Sequence, residues 1–255
     1  MGMCSVRFSI RGQQKSRHFI ANSDRYTVDL STFSTLTIMT KTTLCLILSL
    51  LTAFCTYAQT TPVVELPAFN DEYSALVKQL EAGQTDIDYR AFREKFIESE
   101  QFKIASKRSK EYDSLKKEMY TQMGKRNAPE VIKITKQMLS INYTSMIAHK
   151  ILRQTYSIIG DTSNAARYKA IQFGLLNSIV NNGDGNTCTT AWPVVQIEEE
   201  YFILQMLGAD VLKQSTDTKG GHCDKMEVKT EEGEKKTYYF GISKIFEGYK
   251  KLMSK

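Results

Sequence analysis

The chain is poor in the residues that build the commonest catalytic and metal-binding frameworks. Its 255 residues include three histidines, five cysteines, four prolines and one tryptophan. Zinc needs three or four His, Cys or acidic ligands, and only His149 and His222 lie beyond residue 58. His222 directly precedes Cys223, and neighbours along a strand point to opposite faces, so the two cannot serve as base and nucleophile. There is no P-loop, no glycine-rich dinucleotide turn and no GxSxG elbow. The apolar run from Leu44 to Phe54 has eleven residues, too few to span a bilayer comfortably. A basic face is missing too. The formal charge is +6, but residues 1–58 hold six bases and two acids, which leaves 28 bases against 26 acids, or +2, for residues 59–255. A near-neutral body has no electrostatic footprint for nucleic acid.

What is present is an ordinary globular composition, 42% hydrophobic and 24% charged, long enough for one or two domains. "MTKTTLCLILSLLTAFCTYAQ", from Met39, has the layout of a secretory signal peptide: Lys41, the apolar run, then a small residue at a cleavage point between Ala58 and Gln59. Residues 1–38 show neither a period nor a core and read as an over-extended start, with translation beginning at Met39. Val6 argues against myristoylation at Gly2, and Phe54 argues against Cys55 as a lipoprotein cysteine. Export would remove Cys4, Cys45 and Cys55 and leave Cys188 and Cys223. An even pair in an oxidising compartment predicts a disulfide; the alternative is two unrelated buried thiols. No membrane anchor is expected after cleavage, and the protein is expected in the periplasm or secreted.

Beyond a proline-bearing lead-in, Pro62 to Pro67, amphipathic helices dominate. "FNDEYSALVKQLEA" places Tyr73, Leu76, Val77 and Leu80 on one stripe, with Asn70 or Asp71 as its cap. "DYRAFREKFIES" does the same with Tyr89, Phe92, Phe96 and Ile97, and the pattern weakens between Phe102 and Ser109. Two related units follow: Tyr120 matches Tyr156 and Gly124 matches Gly160, both pairs 36 residues apart. A repeated helical hairpin of that period resembles the tetratricopeptide class, with Leu152, Tyr156, Gly160 and Ala165 at its spacing. Arg153, Lys169 and Gln172 depart from its packing positions. After "NNGDGN", a concentrated turn signal, come a short extended "AWPVV", a helix "QIEEEYFILQMLG" with Ile197, Tyr201, Leu204 and Leu207 expected inward, and three strand-like segments. "EEGE", Glu231 to Glu234, is the last hairpin loop. "SKIFEGYKKLMSK" ends the chain as a helix. The predicted class is α+β, mostly α: a tetratricopeptide-like hairpin array over 59–182, then a small antiparallel three-stranded module and a C-terminal helix over 183–255.

"GDGNTCTTAWPVVQIEEEYFILQMLG", "GHCDKMEV" and "TYYFGIS", with "TDIDYRAFREKF" nearer the front, resemble the domain of unknown function 4919 family of exported Bacteroidetes proteins. The resemblance runs from about Pro67 to Lys251. It implies an exported protein with no assigned activity and no catalytic residues to transfer.

The acidic candidates are Asp184 and the run Glu198, Glu199 and Glu200. Calcium takes six to eight oxygens, and "DGNTCTTAW" supplies one Asp and one Asn, so Asp184 with Asn186 reads as a turn. Glycoside hydrolysis needs two carboxyls facing each other across a cleft. On a helix the three glutamates more simply place negative charge in the first turn. No metal or cofactor is expected. Two functions stay open: an exported, non-enzymatic protein that binds a protein or envelope component, and an envelope hydrolase using Glu198 to Glu200. If the hairpins stack as tetratricopeptide units do, Glu111, Ser114, Glu118, Thr121, Ile147, Lys150, Gln154 and Ser157 face the groove for a protein or peptide. The alternative is that two repeats merely pack against the small module.

Overall fold

The computed structural model describes Val64, residues 70–217 and residues 221–254, all within the compact unit Thr60–Lys255. The expected leader, the Ala58–Gln59 junction and most of the proline-bearing lead-in lie outside the described residues.

Among the described residues seven helices come first. Helix α1 (Glu72–Glu81) starts where the Asp71 side chain accepts the Ser74 N–H at 2.7 Å, so Asp71 is the cap. Gly83, at φ 89°, ends it in a left-handed turn that favours glycine. Helix α2 (Tyr89–Phe96), capped by Asp88, buries Phe92, Arg93 and Phe96. Helix α3 (Glu100–Lys107), capped by Ser99, fills the stretch of weak periodicity, and it buries only Gln101 and Phe102. Helices α4 (Ser109–Gly124) and α5 (Ala128–Ile141) form the first hairpin, and α6 (Met146–Ile158) and α7 (Thr162–Val180) the second.

The two hairpin turns are built differently. Gly160 takes φ 79° after α6, whereas after α4 the left-handed position falls to Arg126, at φ 56°, two residues past Gly124. The matched tyrosines also part: Tyr156 is 1% exposed and stacks on Tyr168 with centroids 5.7 Å apart, while Tyr120 is 44% exposed.

The "GDGN" turn follows α7. Gly185 lies against the indole of Trp192, whose ring atoms would stand 2.7 Å from an added Cβ. The indole stacks on Tyr238 and donates to the Gly183 carbonyl at 3.1 Å. The three expected strands are β2 (Asp210–Asp217), β3 (Cys223–Lys229) and β4 (Lys235–Gly241), an antiparallel meander. The sheet is nevertheless four-stranded and mixed, because β1 (Trp192–Pro193) adds parallel to β4, giving the order β1-β4-β3-β2. A two-residue strand lies below what periodicity can register. Helix α8 (Ile197–Met206) joins β1 to β2, and α9 (Ser243–Met253) ends the described chain. Cys188 and Cys223 form a disulfide, with Cα atoms 5.7 Å apart, that ties the loop before β1 to the start of β3. One hydrophobic cluster runs from Tyr73 and Phe92 through Leu152 and Ile171 to Trp192, Phe202 and Phe240, so helices and sheet share a core.

Candidate functional site

Helix α8 decides the site. Its spacing predicts Ile197, Tyr201, Leu204 and Leu207 inward, but Glu199, Glu200, Phe202, Ile203 and Leu204 are the buried residues, and Ile197 and Tyr201 are exposed. The helix is turned by an anchor distant in sequence. Arg93, on α2, donates to Glu199 Oε1 at 2.8 Å and Oε2 at 2.6 Å, and to the Pro193 carbonyl at 3.0 Å. Both side chains are 3% exposed. Glu199 Oε2 also accepts the Val195 N–H at 2.8 Å, so the pair is closed on itself and holds α2, β1 and α8 together.

Glu200 is fully buried, and among the described residues neither of its oxygens has a hydrogen-bond partner. Burial, and then the neighbouring Asp224 and Glu199, push its pKa up to about 8, so it is a neutral acid at pH 7. The Asp224 oxygens accept from Gln214 at 2.8 Å and Thr216 at 2.7 Å.

Glu198 is half-buried, the most exposed of the three. Its Oε1 accepts from the Tyr112 hydroxyl at 3.1 Å and lies 3.5 Å from Lys116 Nζ. Burial raises its pKa, while Lys116 and Tyr112 draw it back. On one side Glu198 lines a cleft of about 280 Å³ among α3, α4, the end of α5 and α9. On the other it lines a shallower trough of about 270 Å³ between α4 and α8, floored by Ile147 and Phe202. Tyr112, Lys116 and Tyr120, four residues apart on α4, face Glu198 and Tyr201 of α8 along this path. Lys116 and Glu198 form a crossbar between the two spaces.

Of the expected groove residues, Ile147 is buried in the trough floor and Lys150 lies over the Phe202 ring at 5.9 Å, both against α8. Gln154 and Ser157 are exposed on α6. Glu111, Ser114, Glu118 and Thr121 are exposed on α4, where Glu111 pairs with Arg108 and Glu118 accepts from Gln122. The α4 residues that face α8 are instead Tyr112, Lys116 and Tyr120, legible in "YDSLKKEMY" only as an i, i+4, i+8 stripe.

Asp184 is used within its own loop, accepting the Asn186 N–H at 2.9 Å and the Thr190 hydroxyl at 2.5 Å, bonds that lower its pKa. His149 is buried, bonded to the Tyr143 carbonyl at 2.7 Å, and burial pushes its pKa down to about 4. His222 packs edge-on to Phe246, and Cys223 is in the disulfide. Among the described residues no group of three or more His, Cys, Asp or Glu is placed to hold a metal, and no helix is long and apolar enough to cross a membrane.

The family model described as Domain of unknown function (DUF4919) matches residues 69–251, from just before α1 to the last turn of α9. The chain belongs to this family. No curated protein and no solved structure matches it. The matched DUF4919 span contains Arg93, the three glutamates and both walls of the trough, so the whole candidate site lies inside it.

Proposed function

We propose that this protein is exported and non-enzymatic, and that it binds a protein or envelope component along the trough between α4 and α8. The observation that carries this reading is the unequal use of three adjacent carboxyls. Glu199 is closed in an ion pair and Glu200 is buried and neutral, whereas Glu198 stands between two open spaces rimmed by exposed Tyr120, Tyr201 and Ile197. Exposed aromatics beside a half-buried polar group are the usual anchors of a protein interface. The disulfide is in keeping with an oxidising compartment. The hydrolase reading has less support, because among the described residues Glu198 is the single acid lining the cleft.

Residues 59–255, immobilised and exposed to an envelope fraction, are expected to retain a partner that the double variant Tyr120→Ala/Tyr201→Ala releases at unchanged melting temperature. Equal retention by the variant rejects the trough. A substrate screen in which Glu198→Gln removes a glycan- or peptide-hydrolysing activity would restore the hydrolase.

A further inference from the structure

We propose that the cleft beside Glu198 seats an arginine side chain presented by an extended polypeptide lying in the trough. This inference rests on the trough reading and gives its occupant a chemistry. Among the described residues Glu198 is the only charged one lining the cleft, whose walls include Phe96, Phe102, Ile245 and Tyr249. Tyr112 at 3.1 Å and Lys116 at 3.5 Å both approach Glu198 Oε1, and no donor among the described residues reaches Oε2. Burial raises the carboxyl's pKa despite these partners, the mark of a charge incompletely compensated. Lys116 does not line the cleft and is partly exposed, so an incoming cation can displace it toward solvent.

Three other polar side chains of the cleft, those of Asn142, Gln196 and Ser106, are already paired. Asn142 donates to Gln196 at 2.6 Å and accepts from the Thr144 hydroxyl at 2.8 Å, Gln196 donates to that hydroxyl at 2.7 Å, and Ser106 donates to the Phe102 carbonyl at 2.9 Å. A sugar would need those groups for its hydroxyls. A guanidinium needs one carboxylate and flat apolar faces, and it carries less hydration into the cleft than an ammonium. About 280 Å³ is small for a metabolite site and ample for one long side chain. Glu198 lines the trough as well as the cleft, so a chain passing Tyr120 and Tyr201 can drop one side chain at that point.

The test uses immobilised residues 59–255 and labelled pentapeptide pools, random except for a central Arg, Lys or Gln. The Arg pool is expected to be retained at least about tenfold over the Gln pool, as for a hydrogen-bonded charge pair. Glu198→Gln, with an unchanged melting curve, should erase that preference. Lys116→Met, which removes the competing cation, should strengthen it. Equal retention of the Arg and Gln pools, or an Arg preference indifferent to Glu198→Gln, overturns the proposal. If N-acetylarginine methylamide alone is retained as well as the pool, a free small cation is the ligand and the polypeptide source is wrong. Retention that falls equally for every pool in Tyr120→Ala/Tyr201→Ala, with no Arg preference in the parent protein, leaves the trough standing and removes the arginine seat. An Arg preference untouched by those two changes removes the trough and keeps the seat. No retention of any pool overturns both.

Discussion

The hairpins α4–α5 and α6–α7 share a tyrosine four residues before a glycine, yet the molecule uses them oppositely. Helix α6 buries eight of its 13 residues, and α4 two of its 16. In the second hairpin the polar groups are drawn into the core: His149 is bonded to the Tyr143 carbonyl, and the Tyr143 and Tyr168 hydroxyls donate to Glu81 of α1 at 2.7 and 3.3 Å. In the first, Tyr112, Lys116 and Tyr120 are turned toward α8. Two hairpins are too few to bury their faces by stacking alone. One has become core, and the other shares its inner face with a helix of the sheet module, which leaves the trough.

The sharpest way to break this comparison is to truncate the matched tyrosines. Tyr156→Ala removes a buried, stacked ring and should cost about 3–5 kcal/mol. Tyr120→Ala should change stability by less than about 0.5 kcal/mol, as surface changes do. Urea melts of both variants decide it. If Tyr120→Ala costs as much as Tyr156→Ala, the trough is part of the core.

Much of this was legible in the chain and some was not, for physical reasons. The stripes Tyr73–Val77–Leu80 and Phe92–Phe96 gave α1 and α2 because each faces a single core, and the Gly160 turn was readable because glycine marks the left-handed position. The first turn was harder, since Arg126 takes that conformation without a sequence signal. The rotation of helix α8 is not legible: its apolar spacing points Ile197 and Tyr201 inward, but Arg93, 106 residues earlier, pulls Glu199 into the core. No local pattern reports a partner that far away. The acidic run was found by composition, but which of its members is open depends on Arg93, Asp224 and Lys116 together.

A second effect of similar size separates the sheet module from the second hairpin. Removing a bridge between residues 35 apart should cost about 3–4 kcal/mol by loop entropy. Reduced protein is expected to lose amide protection first in β2 to β4 and along α8, while α6 and α7 keep theirs. Hydrogen exchange reads this directly, and simultaneous loss in α6 would show that the two regions unfold as one.

The third test concerns the two faces of α8. Glu200 holds a proton in the folded state up to a pKa of about 8, against 4.5 when unperturbed. The unfolded chain releases that proton earlier, so stability is full below pH ~4.5, falls as pH rises, and levels off above ~8. Glu200→Gln keeps the shape and cannot ionise. It should flatten this dependence and stabilise the protein at pH 8.5 by a few kcal/mol relative to the parent, of the order implied by the shift. Denaturation midpoints at pH 5 and pH 8.5 measure it, and an unchanged slope would mean that Glu200 reaches solvent.

The smallest expected effect asks which face of α4 matters. Successive helical residues turn by about 100°, so Glu118 points well away from the stripe of Tyr112, Lys116 and Tyr120. It is exposed, and it accepts a hydrogen bond from Gln122, 2.7 Å away on its own helix. Glu118→Lys should therefore alter stability by less than about 0.5 kcal/mol, the ordinary range for a surface change. It should also leave partner retention intact, whereas Tyr120→Ala/Tyr201→Ala abolishes it. A melting curve and a retention assay on the same preparation check both halves. Loss of the partner in Glu118→Lys at an unchanged melting temperature would move the binding face to the outer side of α4, where Glu111, Ser114 and Thr121 also lie, and would leave the α4–α8 trough as packing between the first hairpin and the sheet module.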